Sequence, residues 1–135
     1  MNRLIGKISK ITSHEGISLV NINTTSAVLG TVLLDTPQSC DYLKIGKKIT
    51  VAFKETEVAI ALPNIGEISL ANQLICNIEK IENGKILSKI YLTCNDSKII
   101  SIITSSSSKR LALKKDLEVI ALIKANEISL INEEN

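Results

Sequence analysis

Ile49, Val51 and Phe53 alternate with Thr50, Ala52 and Lys54, the period-two pattern of a strand with one buried face. Short β-branched segments of this kind recur between turn-forming clusters. They predict strands near 3–12, 17–23, 26–34, 48–54 and 56–62, with turns at His14-Glu15-Gly16, Asn23-Thr24-Thr25 and Gly46-Lys47. A second set follows near 73–82, 85–93, 98–104, 118–124 and 126–131, with Asn83-Gly84 a strong hairpin signal and Asn95-Asp96 a further turn. Pro37–Leu43 and Ser106–Leu113, each between a third and a fourth strand, are long enough for a short helical turn.

The two sets are copies. Asn2-Arg3-Leu4-Ile5-Gly6-Lys7-Ile8 returns as Asn72-Gln73-Leu74-Ile75-Cys76-Asn77-Ile78, and Phe53-Lys54-Glu55-Thr56-Glu57-Val58 returns as Ile123-Lys124-Ala125-Asn126-Glu127-Ile128, both at an offset of 70. A constant offset at both ends marks a duplicated module. The breaker-rich link Pro63-Asn64-Ile65-Gly66-Glu67 divides the chain into a first domain, 1–62, and a second, 68–135. Each copy is too small to bury much core alone, so the two are expected to pack on one another or to swap elements. Five short strands with a small helix before the fourth predict an all-β fold, two OB-like five-stranded Greek-key barrels in tandem. The tail Asn132-Glu133-Glu134-Asn135 is expected to fray.

Composition narrows the function. With 44% apolar and 22% charged residues the 135-residue chain reads as a soluble globular protein. A net charge of +2, only two arginines (Arg3 and Arg110) and 2% aromatics argue against a nucleic-acid surface, which needs a basic groove and stacking platforms. The N-terminus carries no secretory pattern, and no apolar run is long enough to span a bilayer. Cys40, Cys76 and Cys94 form no C-x-x-C pair, and with His14 the one histidine, no metal site is expected; three reduced thiols in a cytoplasmic protein are. No catalytic set is placed by motif, so no enzyme is expected.

Several segments resemble the Mop, or TOBE, molybdate-binding domain. Ser69-Leu70-Ala71-Asn72-Gln73-Leu74 is similar to that domain's Ser-Ala-Arg-Asn-Gln-Leu opening. Thr104-Ser105-Ser106-Ser107 with Leu111-Ala112-Leu113 resembles its Thr-x-x-Ser-x-x-x-Leu-Gly-Leu segment, and Val119–Ala125 its closing Val-Tyr-Ala-Leu-Ile-Lys-Ala/Ser strand. Leu43-Lys44-Ile45-Gly46 and Val51-Ala52-Phe53-Lys54 fit the same template in the first copy. The resemblance covers nearly the whole chain as a tandem pair, the arrangement of the molbindins. It implies a cytoplasmic homo-oligomer holding molybdate or tungstate at subunit interfaces as a store, with no organic cofactor.

The resemblance also implies a ligand set. Ser69 and Asn72 match the opening motif, with Ala71 in place of its arginine; Thr104 and Ser107 keep the two hydroxyls; Lys124 keeps the cation, followed by Asn126 where a hydroxyl is usual. In the first copy Lys54 is kept and Thr56 offers a hydroxyl, but Leu34 and Pro37 stand where Thr104 and Ser107 stand in the second. Glu55 would repel a dianion if it pointed inward. Loss of the arginine removes a charge-assisted contact of about 1.5–3 kcal/mol. Plainer roles compete: Ser105–Ser108 suits a helix cap, Lys54 and Lys124 suit solvated strand ends, and Ser69 and Asn72 suit a linker and turn. Nothing precedes the first copy, so no DNA-binding helix-turn-helix is expected and storage is favoured over regulation. The alternative is a tandem module that has lost the anion and acts through protein contacts.

Overall fold

A computed structural model describes residues 1–133 of the chain. The first half supplies β1 (Asn2–His14), β2 (Ile17–Thr24), β3 (Val28–Leu33), β4 (Lys48–Phe53) and β5 (Ala59–Ala61). The second supplies β6 (Asn72–Asn83), β7 (Leu87–Cys94), β8 (Ser97–Thr104), α1 (Ser105–Arg110), β9 (Glu118–Ile123) and β10 (Ser129–Ile131). Alternation sets which side chains turn inward: Asn2, Leu4, Gly6 and Ile8 on β1, and Asn72, Leu74, Cys76 and Ile78 on β6. Both strands then slip register, between Ile8 and Lys10 and between Ile78 and Lys80. Such a bulge increases the local twist and bends the strand.

Each five-stranded antiparallel sheet takes its last strand from the other half. The orders are β10-β4-β1-β2-β3 and β5-β9-β6-β7-β8. Leu130 sits opposite Val51, and Ile60 sits opposite Ala121. The exchange is fixed by buried hydroxyls at equivalent positions. Thr31 Oγ1 on β3 donates to the Ile128 carbonyl at 2.7 Å, and Ser101 Oγ on β8 donates to the Val58 carbonyl at 2.6 Å. The two β2–β3-type turns also touch, with Ser26 Oγ donating to Cys94 O at 2.7 Å and Asn95 Nδ2 to Thr25 O at 3.2 Å. Leu29, Val51 and Phe53 from one half and Ile99, Ala121 and Ile123 from the other belong to one contiguous core. The halves thus swap elements, as small duplicated units must if neither can bury enough apolar surface alone.

Several local expectations change. The segments expected as strands from 56 and 126 begin instead with a 3-10 turn, Glu55–Glu57 and Ala125–Glu127, before the three-residue strands. The short helix before the fourth strand forms in the second half alone. Thr104 caps it, its Oγ1 accepting from Ser107 N at 3.2 Å, whereas Leu34 at the equivalent position has no side-chain oxygen to do so. The first-half segment closes as turns, with Ser39 N and Cys40 N both donating to Thr36 O. β4, expected to have one open face, is buried on both: Thr50 lies under the chain's end and its hydroxyl donates to Glu133. Glu133, expected to fray, also pairs with Arg3 at 2.8 Å; Glu134 and Asn135 lie outside the described residues.

The expectation of three reduced thiols is corrected. Cys76 and Cys94 form a disulfide between β6 and β7, with Cα atoms 4.4 Å apart, and Cys40 alone is free. Continuing the pairing Asn77↔Thr93 outward by one residue sets the two cysteines directly opposite each other, at the spacing of a non-hydrogen-bonded antiparallel pair. The sequence hid this pairing: a two-residue Asn83-Gly84 turn would set Cys76 opposite Tyr91, whereas the observed hairpin first pairs Asn83 with Ser88 and then shifts register between Ile78 and Lys80.

Candidate functional site

Three of the residues expected to bind an oxyanion meet where β8 runs into α1. Thr104 ends the strand in an extended conformation and begins the helix. Its hydroxyl accepts from Ser107 N and donates to Ser107 Oγ at 2.9 Å, while Arg110 Nη2 donates to the same Oγ at 3.4 Å. Ser107 Oγ therefore accepts twice, which leaves its own proton free to donate outward. Thr56, from the first half, lines the same cavity of about 490 Å³ with Thr104 and Ser107, between walls that include Leu87 and Ile102. Glu57 and Glu127 line it too. On its own, this end of the molecule pairs hydroxyl donors with two carboxylates, a poor setting for a dianion.

Ser69 and Lys124 occupy a different cavity, about 280 Å³, with Val32, Leu70, Ala71, Ala125 and Asn126. Ser69 lies on the segment leading into β6, held by Gln73 Nε2 donating to Leu70 O at 2.8 Å. Lys124 follows β9 at the head of the 3-10 turn and is exposed. No carboxylate among the described residues lines this cavity, so Lys124 sets the sign of its lining.

Lys54, the equivalent of Lys124 in the first half, is exposed and lines neither cavity; its backbone N–H donates to Glu57 Oε1 at 3.0 Å. Glu55 does not reach inward as a repelling charge. It takes the Met1 amino group at 2.8 Å, and that hydrogen bond holds its carboxyl below the usual range.

Asn72 has a structural task. It is 2% exposed, its Oδ1 accepts from Gly30 N at 2.7 Å, and its Nδ2 donates to Gly30 O at 2.9 Å. The side-chain amide thereby extends the β3 backbone as another strand would and ties the two halves together. The seven expected residues thus separate into Ser69 with Lys124, Thr56 with Thr104 and Ser107, Lys54 apart, and Asn72 as a staple. Arg110, which the sequence reading did not include, joins the Thr104–Ser107 group because its helix places it one turn beyond Ser107.

Among the described residues no group of three or more His, Cys, Asp or Glu side chains is arranged to hold a metal ion, and no helix is long and apolar enough to cross a membrane.

Comparison with known proteins places this geometry. The sequence profile of the TOBE domain matches residues 68–130. Among curated protein sequences none matches the chain significantly. A crystal structure of the cytoplasmic molybdate-binding protein ModG, with molybdate bound, superposes with a TM-score of 0.88 at 25% identity over 96% of this chain and 94% of that one. Residues 68–130 carry the match to the TOBE domain, and the first half repeats the strand order of that segment at the 70-residue offset.

Proposed function

We propose that this protein is a non-catalytic binder of molybdate or tungstate that serves molybdenum storage and homeostasis in the cytoplasm, the compartment in which ModG works. The observation that carries this reading is the cavity of Ser69 and Lys124, lined by no carboxylate among the described residues, in a chain whose backbone follows that of a molybdate-bound protein almost end to end.

Binding a tetrahedral dianion needs converging donors and no bond breaking. Lys124 supplies the charge, and Ser69 and Ser107 supply hydroxyl protons, with Thr104 donating to Ser107 Oγ and so turning the Ser107 proton outward. Within one chain these donors sit in two separate cavities. A second copy that sets its Thr104–Ser107 corner over the Ser69–Lys124 cavity brings them together, so the complete site lies between subunits of a homo-oligomer. Arg110 beside Ser107 then provides a cation in place of the arginine that Ala71 replaces. The equivalent corner of the first half, with Leu34 and Pro37, has no hydroxyls to contribute, and Leu34 is 84% exposed. The first half therefore supports the assembly more than the ligand. Molybdate and tungstate share shape and charge, and these donors do not separate them.

Thermal unfolding with molybdate, tungstate and sulfate at matched ionic strength tests the reading. A ligand at a hundred times its dissociation constant stabilises the fold by about 2.7 kcal/mol, several degrees for a domain of this size. A rise with molybdate or tungstate and none with sulfate is expected; no rise with any of the three at millimolar concentration refutes it.

A further inference from the structure

A cavity of about 710 Å³ opens between the β6–β7 hairpin and α1, lined by residues that none of the oxyanion chemistry uses. Lys85 and Lys109 stand at it, both exposed and neither in an ion pair among the described residues. No carboxylate among the described residues lines it. Ser108 lines it as well and is 5% exposed; its hydroxyl makes no hydrogen bond among the described residues and stays reachable by solvent, because none of their fully buried side-chain oxygens lacks a partner, while its backbone carbonyl is taken by Leu113 N at 3.1 Å. The neighbouring Ser105 differs: its hydroxyl donates to Gly84 O at 2.7 Å and lies 2.8 Å from Ser88 Oγ. A solvent-reachable hydroxyl with a spare proton beside two cations favours an anionic ligand. Ala112 and Leu113 give the cavity an apolar wall.

The feature belongs to this half alone. At the 70-residue offset Lys85, Ser108 and Lys109 become Glu15, Gln38 and Ser39, and the helix that closes the cavity is absent. The volume also sets the ligand class. It falls within the roughly 300–1,000 Å³ of small-molecule sites and far exceeds what one tetrahedral oxyanion fills.

We infer that this cavity is a second ligand site, for a small organic phosphomonoester, with its phosphate on Lys85 and Lys109, an oxygen on the Ser108 hydroxyl, and its apolar body against Ala112 and Leu113. The site is independent of the molybdate cavity.

The test is a titration of the full-length protein with phenyl phosphate, followed by amide NMR shifts, with inorganic phosphate and phenol as controls. Saturable shifts are expected, largest at residues 83–85 and at Ser105, Ser106, Ser108, Lys109, Ala112 and Leu113. Binding should weaken by about tenfold or more in the Lys85→Ala/Lys109→Ala double variant and by a smaller factor in Ser108→Ala. Inorganic phosphate and phenol should each bind much more weakly than phenyl phosphate. The proposal is overturned if no saturable shift appears at ten-millimolar levels (on the order of a hundredfold above a useful affinity), if the shifts centre on Ser69 and Lys124 or on Thr104 and Ser107, or if the double variant binds as well as the parent. Both lysines are exposed, so the double variant is expected to fold, and its retained molybdate response serves as the control.

Discussion

Asn2 and Asn72 make the same pair of hydrogen bonds in opposite directions across the molecule. Asn72 clasps the backbone N–H and carbonyl of Gly30, and Asn2 clasps those of Ile100, each at 2.7–2.9 Å. Each begins its half's first strand and reaches the third strand of the other half. Replacing Asn72 with alanine strands a buried donor and a buried acceptor, each costing about 1–3 kcal/mol. Asn72→Ala should therefore lower the unfolding free energy by about 2–4 kcal/mol in a urea titration, and Asn2→Ala by a similar amount. If both variants unfold within about 0.5 kcal/mol of the parent, as ordinary surface changes do, the staple has no structural weight.

Ala112 follows α1 in the left-handed region, at φ 53°, where the Leu111-Ala112-Leu113 segment closes the helix. Ala112 N donates to Lys109 O and Leu113 N to Ser108 O, the two bonds of a Schellman motif whose usual residue at this position is glycine. A side chain there costs about 1–2 kcal/mol, and glycine returns part of that gain as entropy of the unfolded chain. Ala112→Gly is thus expected to stabilise the protein by about 0.5–1 kcal/mol. A loss of stability would show that the alanine methyl is held by favourable contacts.

The Cys76–Cys94 bond closes a hairpin with a sequence separation of 18, and both cysteines are at most 1% exposed. An alkylating reagent applied to the native protein should label Cys40 and leave the other two untouched until the chain is unfolded and reduced. Closing a loop of this size contributes about 3 kcal/mol on the chain-entropy account. Cys76→Ser/Cys94→Ser should unfold correspondingly earlier in denaturant, and an unchanged midpoint would show that the bond adds nothing to stability.

A site shared between copies predicts complementation. Lys124→Ala removes the cation from one side and Ser107→Ala the hydroxyl from the other, so each variant alone should bind molybdate poorly. Unfolding the two together and refolding the mixture places intact Lys124 opposite intact Ser107 at some interfaces. Partial recovery of molybdate binding is expected. Two crippled variants that never rescue each other would place the whole site within one chain.

Much of this architecture is legible in the residues, and the rest is hidden for identifiable reasons. The offset between Asn2 and Asn72 reveals the duplication, and the Asn83-Gly84 turn sets the β6–β7 hairpin. Packing or exchange of elements is expected from the small size of each copy, but which strand is exchanged is not visible: Ala59-Ile60-Ala61 and Ser129-Leu130-Ile131 present the same short apolar pattern, so neither favours its own sheet over the other. The orientation of Asn72 is hidden in a motif that suits a ligand and a staple equally. One hint existed: the first copy keeps Asn2 while Leu34 and Pro37 replace the hydroxyls, as a structural residue would persist where donors had gone. The division of the donors between two cavities follows from barrel geometry, since Ser69 leads into β6 while Thr104 ends β8, and no spacing along the chain encodes that separation.

The most direct measurement is a calorimetric titration of the parent protein and Lys124→Ala with sodium molybdate, repeated in excess sulfate. The parent should bind saturably and hold molybdate against sulfate, and the variant should lose about tenfold or more in affinity, the cost of one charge-assisted hydrogen bond. No saturable binding by the parent at millimolar molybdate, or an affinity that Lys124→Ala leaves unchanged, would contradict the assignment of this cavity to the oxyanion.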